Sequence, residues 1–242
     1  MSQSEHLKFI EGGNAKLPGY ISHFSLTAGH SCPGAKDCLC RADPDTGKLT
    51  DGKHTQFRCF AASQEATYPN VREQRWQNFN LLLRAGSKEA MRDLIVRSFP
   101  RDFIVMRIHV SGDFFSQAYF DAWLSAVKAR PKVQFYAYTK SLQFWVKRLG
   151  EIPANLRLVA SVGGKFDCLI RQFDLPHVVV VYSPQEVAAK GVQIDHDDGL
   201  ARDPAVHRFA LLLHGTQPKG SPAAAALVQM RLEKVEFGYT AK

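Results

Sequence analysis

Four of the five cysteines in this chain, Cys32, Cys38, Cys40 and Cys59, fall in one stretch with the spacing Cys-x5-Cys-x-Cys-x18-Cys, while Cys168 stands apart. The N-terminus from Met1 to Glu11 lacks the apolar run of an export signal, so clustered thiols favour metal ligation over disulfides. Structural zinc takes paired thiolates about two to four residues apart in each half-site, an arrangement absent here. A [4Fe-4S] cluster presents several irons, so Cys38 and Cys40 can each reach a different iron without crowding one tetrahedral centre. The expectation is therefore a cluster held by Cys32, Cys38, Cys40 and Cys59, with zinc as the alternative metal. The basic neighbours Lys36, Arg41, Lys53 and Arg58 are expected to favour thiolate over thiol. His30 and His54 are spare ligand candidates, and Cys168 is expected to be a small buried hydrophobe.

The surrounding pattern gives these thiols a scaffold. Leu17 to Leu26 (LPGYISHFSL) reads as a strand opening into the cysteine loop. From Gln64 to Phe99 the apolar residues Trp76, Phe79, Leu83, Met91, Leu94 and Ile95 recur at helical spacing, and Gly86-Ser87 marks a break between two helices. Beyond Pro100, apolar strands alternate with helices. The strands are Phe103 to Val110, Val133 to Tyr138, Leu156 to Ala160, His177 to Tyr182 and Arg208 to Leu213. Ser116 is positioned to cap a helix and Pro184 to start one, and Ala223 to Lys234 forms the last helix. The acidic segment Asp195 to Gly199 reads as a solvated loop.

Counting the first strand gives six β-α units with buried parallel strands. The expected fold is α/β, a partial TIM-like (β/α)6 barrel with a long cysteine-rich loop after its first strand. No linker divides residues 1–242, so one domain is expected. In such a fold the reactive groups sit at the C-terminal strand ends. Those ends carry Ser111, Gly112, Asp113, Thr139, Lys140, Ser161, Gly163 and Gly164, which are the candidate cofactor-binding residues, followed by Ser183, His214, Gln217 and Lys219. Asp113 is either an acid/base or ammonium-binding group or a helix N-terminal carboxylate. Lys140 is a candidate anion ligand, and Tyr136 and Tyr138 offer stacking faces. No Walker loop, Gly-x-Ser-x-Gly or His-Glu-x-x-His pattern is present.

Cys32-Pro33-Gly34-Ala35, Arg58-Cys59-Phe60-Ala61, Arg107 to Phe114 (RIHVSGDF) and Tyr138-Thr139-Lys140-Ser141 resemble a phage-encoded family called gene product 88-like. That resemblance implies an iron-sulfur protein of a phage or mobile element. The layout also resembles, more loosely, radical S-adenosylmethionine (SAM) enzymes, whose partial barrel carries its cluster in the loop after the first strand. There a Gly-Gly-Glu segment after the second strand holds the SAM amino group, and Ser111-Gly112-Asp113 occupies the similar place. This resemblance adds SAM as a candidate cofactor, although the usual Cys-x3-Cys-x2-Cys spacing is absent. Four ligating cysteines would block the iron that SAM requires.

Composition sets outer limits. No apolar run approaches the length of a membrane span, so a cytoplasmic, non-membrane protein is expected. The formal net charge of +8 attracts polyanions, which makes nucleic acid a candidate partner, but the basic residues are scattered. Three functional classes follow: a redox or radical enzyme, a nucleic-acid-associated protein with a structural cluster, and a redox sensor.

Overall fold

The structure is a computed structural model that describes residues 6–14 and 16–235. Six strands form one parallel sheet: β1 (Ile21–Ser25), β4 (Val105–Ser111), β5 (Gln134–Thr139), β6 (Leu156–Ser161), β7 (His177–Val181) and β8 (Arg208–Leu212). They lie side by side in chain order. A separate antiparallel ribbon, β2 (Cys40–Ala42) with β3 (Leu49–Asp51), sits inside the cysteine loop that sequence pattern leaves unstructured.

Three helices follow the ribbon where two are expected: α1 (Phe60–Thr67), α2 (Pro69–Ala85) and α3 (Lys88–Ser98). The extra break lies at Tyr68, which takes extended backbone angles because the ring of Pro69 disfavours helical geometry in the residue before it. The remaining helices are α4 (Gln117–Lys128), α5 (Leu142–Trp145, followed by a 3-10 turn), α6 (Cys168–Gln172), α7 (Pro184–Lys190), α8 (Gly199–Arg202) and α9 (Pro222–Leu232). Ser87, Ser116, Ser183 and Ser221 cap α3, α4, α7 and α9 by accepting the backbone N–H three residues on.

Alternation along the strands divides the core in two. Phe24, Met106, Ile108, Phe135 and Leu158 pack against Leu94 and Ile95 of α3 and Phe120 and Trp123 of α4. Ile21, Val105, Tyr136, Val159, Val178 and Phe209 face the other way. On that second face the rings of Tyr138 and Phe209 come within 6.3 Å. Their strands lie three intervals apart, roughly 14 Å on a flat sheet, so the sheet curls around this face. Its edge strands β1 and β8 are not paired with each other. The expectation of a barrel thus reduces to an open, curved parallel sheet.

Two further expectations are corrected. Leu83 is 49% exposed and Leu82 is fully buried, because the inward side of α2 carries Arg72, Arg75 and Asn78 as well as apolar groups. The acidic segment is not solvated throughout: Asp195 and Asp198 are buried beneath the curved face.

Candidate functional site

The cysteine loop is held against the strand ends by its backbone. Gly34 packs so closely on β5 that an added Cβ would lie 2.1 Å from the Lys140 carbonyl oxygen. Asp37 N donates to Gly163 O at 2.9 Å, and Lys165 N donates to Gly34 O at 2.9 Å. Ala35 bridges to Gly164. A β-bulge in β4 completes the seat: His23 pairs with Arg107 but Ser25 with Ser111, and His109 within the bulge has φ of +64°. A non-glycine residue there costs about 1 kcal/mol or more. His109 is held between aromatic rings, with Nε2 2.9 Å from the Tyr119 hydroxyl.

Docking the loop encloses a cavity of about 160 Å³ at the C-terminal strand ends. Cys32, Cys38 and Cys59 line it, whereas Cys40 and Cys168 do not. Of the strand-end candidates, Ser111, Gly112, Asp113, Thr139, Lys140 and Ser161 line it as well. Gly163 and Gly164 instead hold the cysteine loop through their backbone. His30 is elsewhere, with Nε2 3.1 Å from Ala42 O and its ring against Trp76, and His54 is exposed. Cys168 is exposed, contrary to expectation, because α6 presents Ile170 rather than its first residue to the core. Among the described residues, no three His, Cys, Asp or Glu side chains are placed to hold a single metal ion.

Burial, rather than basic neighbours, sets the state of these thiols. It pushes the Cys32 thiol well up and the Cys38 thiol up, and raises Cys59 to about 11. The three thiols also raise one another where they face each other: Cys38 and Cys59 both act on Cys32, and Cys38 acts on Cys59. The cation that opposes this at Cys38 is Lys140, a residue distant in sequence. The backbone amides of Ala61 and Ala62, in the first turn of α1, act the same way on Cys59. Cys40 is raised to about 12 by burial and by Asp51. Arg58 turns outward, with Nη2 2.8 Å from Asp51 Oδ2. Of the expected thiolate-favouring residues only Arg58 lines the cavity, paired with Asp51 and acting on Cys40, whereas Lys36, Arg41 and Lys53 do not line it.

Asp113 and Lys140 tie the strand ends together. Asp113 Oδ1 accepts from Thr139 Oγ1 at 2.6 Å and from Phe114 N at 2.7 Å, and Oδ2 accepts from Lys140 N at 2.8 Å. The Lys140 ammonium, 8% exposed as a residue, donates to Ser161 O and Ser161 Oγ at 3.0 Å each and to Val162 O. The three donors around Asp113 come from the ends of β4 and β5 and not from a helix, and α4 is capped by Ser116, so Asp113 ties two strand ends together in place of the expected helix-start role. Lys140 is a buried cation beside a thiol rather than a solvated side chain.

Two buried ion-paired groups escape sequence reasoning. Glu65 accepts from Ala28 N at 2.8 Å and from Arg75 Nη1 at 3.0 Å, which fixes the start of the cysteine loop against α1 and α2. Beneath the cavity, Asp198 is fully buried; its Oδ2 accepts from Arg107 Nη1 at 2.6 Å and from the Tyr136 hydroxyl at 2.9 Å. Lys16 Nζ lies 2.7 Å from Asp198 Oδ1, to which the Tyr138 hydroxyl also donates at 3.1 Å. Arg107 and Lys16 hold the Asp198 carboxyl well below the usual range, against the effect of burial. Tyr136 and Tyr138 thus use their hydroxyls to close the floor. The one sequence signal for this is a basic residue and two tyrosines at inward positions of apolar strands.

Fold and site together define an α/β protein with an open parallel sheet and a thiol-lined cavity at its strand ends. Residues 2–231 match the family model described as Gene product 88, and the chain belongs to that family. The Gene 88 protein of Mycobacterium phage L5 is 30% identical over 139 residues, covering 57% of this chain and 54% of that protein. The Gene 88 protein of Mycobacterium phage D29 is 28% identical over 160 residues, covering 65% and 63%. The matched region thus spans under two thirds of either relative, and both support the phage origin expected from the motifs. No solved structure matches the chain. Among the described residues, no helix is long and apolar enough to cross a membrane.

Proposed function

We propose that this phage protein, acting as a single domain, binds a [4Fe-4S] cluster through Cys32, Cys38 and Cys59 and is a redox or radical enzyme of the SAM-dependent kind. The observation that carries the reading is the division among the cysteines: three line one strand-end cavity, and Cys40 lies outside it. Four thiolates would complete a closed centre. Three thiolates for four irons leave one iron for an exogenous ligand.

The donor set fits a polynuclear group better than one ion. Three half-buried thiols share a cavity without converging as a single zinc requires. Lys140 beside Cys38 and the α1 amides beside Cys59 would offset the negative charge of bound thiolates. When bound, the cluster supplies one-electron reduction to whatever occupies its open position. Ser111, Gly112, Thr139 and Ser161 would form the adjoining wall, with Asp113 positioning Thr139 and the Lys140 backbone. The open, curved parallel sheet supports the reading by presenting its strand ends to this cavity.

The test is anaerobic purification after iron-replete expression, with iron and sulfide analysis of each Cys→Ala variant. Electron paramagnetic resonance of the reduced protein is then recorded with and without SAM. Loss of the cluster in the Cys32, Cys38 and Cys59 variants, its retention in the Cys40 and Cys168 variants, and a SAM-induced spectral change are expected. Zinc in place of iron and sulfide, or equal dependence on Cys40, would overturn the reading.

A further inference from the structure

A second cavity, of about 600 Å³, adjoins the thiol-lined one. It lies between the edge strands β1 and β8, with α1 and α2 as its outer wall. Phe60, Arg107, Val110, Leu211 and His214 line both cavities, so an occupant of the larger one would sit beside the thiols. Its size is within the range of small-molecule sites, about 300–1,000 Å³.

We propose that this cavity binds a small aromatic carboxylate, held by the Ser25 hydroxyl and the Arg75 guanidinium. A buried strand ordinarily presents apolar groups, yet β1 ends on a serine, 9% exposed, that lines the larger cavity and not the smaller. The Ser25 Oγ keeps accessible surface and has no hydrogen-bond partner among the described residues. Arg75 lines the same cavity. Its Nη1 donates to Ala61 O and Glu65 Oε1 and its Nη2 to Gln64 Oε1, while Nε is accessible and has no partner among the described residues. The two side chains meet at one corner: Asn78, one turn along α2 from Arg75, donates to Ser25 O at 3.1 Å. Ser111, which pairs with Ser25, donates to Glu65 at 3.4 Å. Two unspent donors match the two oxygens of a carboxylate and leave the third oxygen of a phosphate unmet.

The charge of the lining agrees with an anion. Lys16, Arg75 and Arg107 line the cavity, and among the described residues no Asp or Glu does. Each cation is paired, but its carboxylate lies behind it. Lys16, Arg107 and Arg75 keep 10%, 9% and 7% of their side-chain surface exposed, whereas Asp198 and Glu65 keep 0%. The cavity thus meets the positive side of these pairs. Burial and the cations Arg107 and Arg75 push the His23 pKa down to about 4, so that ring adds no charge at pH 7. Val110 and Leu211, the rings of Phe60 and His214 4.6 Å apart, and Tyr68 at the mouth give the ligand body apolar and aromatic faces.

This site does not depend on a cluster, and its test needs none. Benzoate, 3-phenylpropanoate and indole-3-propanoate, their neutral primary amides, and phenyl phosphate are titrated by calorimetry into the full chain as purified, into Ser25→Ala and into Gln74→Glu. At least one carboxylate is expected to bind at one per chain, more tightly than phenyl phosphate and about tenfold or more tighter than its own amide. Ser25→Ala removes a hydroxyl that bonds nothing in the described protein, so the fold is kept. Affinity is expected to fall about tenfold, the equivalent of one hydrogen bond to a charged group. Gln74 lines the larger cavity and not the smaller, and is partly exposed, so Gln74→Glu adds a like charge without burying it. It is expected to weaken the carboxylate about threefold and leave the amide unchanged. The proposal fails if none of these carboxylates binds more tightly than about 1 mM. It also fails if the amides or phenyl phosphate bind as tightly, or if binding survives Ser25→Ala unchanged.

Discussion

Asp198→Asn removes the carboxylate that pairs with both Arg107 and Lys16 on the floor of the site while leaving its shape. Asp198 sits at φ +61°, a conformation that asparagine adopts nearly as readily as aspartate, so the backbone is not the variable. The amide keeps an oxygen for the tyrosine hydroxyls but takes the Asp198 charge away from Arg107 and Lys16, 2.6 and 2.7 Å away. Breaking a buried pair from one side typically costs about 3–5 kcal/mol. For a chain of this size each kcal/mol lowers Tm by about 2–4 °C, so a drop of roughly 6–20 °C is expected. Urea denaturation at pH 7 measures the loss directly, and an unchanged m-value confirms that the same surface unfolds. Adding Arg107→Met should recover part of it, because one of the two cations that lost the Asp198 charge is then gone. The sign with pH also follows. The folded-state pKa of Asp198 lies below that of a free carboxyl, about 3.9, so its stabilisation is complete above that value and is lost as pH falls toward the folded pKa. The variant should lack this contribution to acid unfolding. A cost below about 1 kcal/mol, in the range of an exposed pair, would refute the buried-floor reasoning.

Three further outcomes bear on the loop and the strand ends. Gly34→Ala forces a methyl into the Lys140 carbonyl, so the cysteine loop must lift and native-state alkylation of Cys32 and Cys38, followed by mass spectrometry, should accelerate. In the parent protein the exposed Cys168 should be alkylated first and the buried Cys40 last; the reverse order would contradict their placement. Asp113→Ala strands the Thr139 hydroxyl and two backbone N–H groups, at about 1–3 kcal/mol for each buried donor left unmet, so chemical denaturation should show a loss of several kcal/mol. A loss under about 1 kcal/mol would mean that water replaces the carboxylate.

Local pattern accounts for what could be read along the chain. The six strands, their parallel arrangement and the serine caps at Ser116 and Ser183 follow from short apolar runs, turn residues and cap chemistry, all local properties. The clustering of Cys32, Cys38 and Cys59 near the first strand is equally a matter of spacing, as is the grouping of Ser111, Asp113, Thr139, Lys140 and Ser161 at strand ends. What local pattern does not contain is the direction of a side chain once segments far apart meet. Cys40 lies two residues from Cys38, yet the ribbon β2–β3 turns it toward Asp51 and away from the cavity. Asp195 and Asp198 read as solvated because acidic residues in a loop usually are. They are buried because Arg107 and the two tyrosines, roughly ninety and sixty residues earlier, point inward from β4 and β5 to meet Asp198. The open edge between β1 and β8 is likewise a closure property, since parallel pairing specifies neighbours but not whether the last strand reaches the first. The sequence by itself determined the elements and the kinds of residue at their ends. Only the tertiary structure decided which thiols share a cavity and which charges lie beneath it, because burial and long-range pairing depend on segments that meet only when the sheet curls.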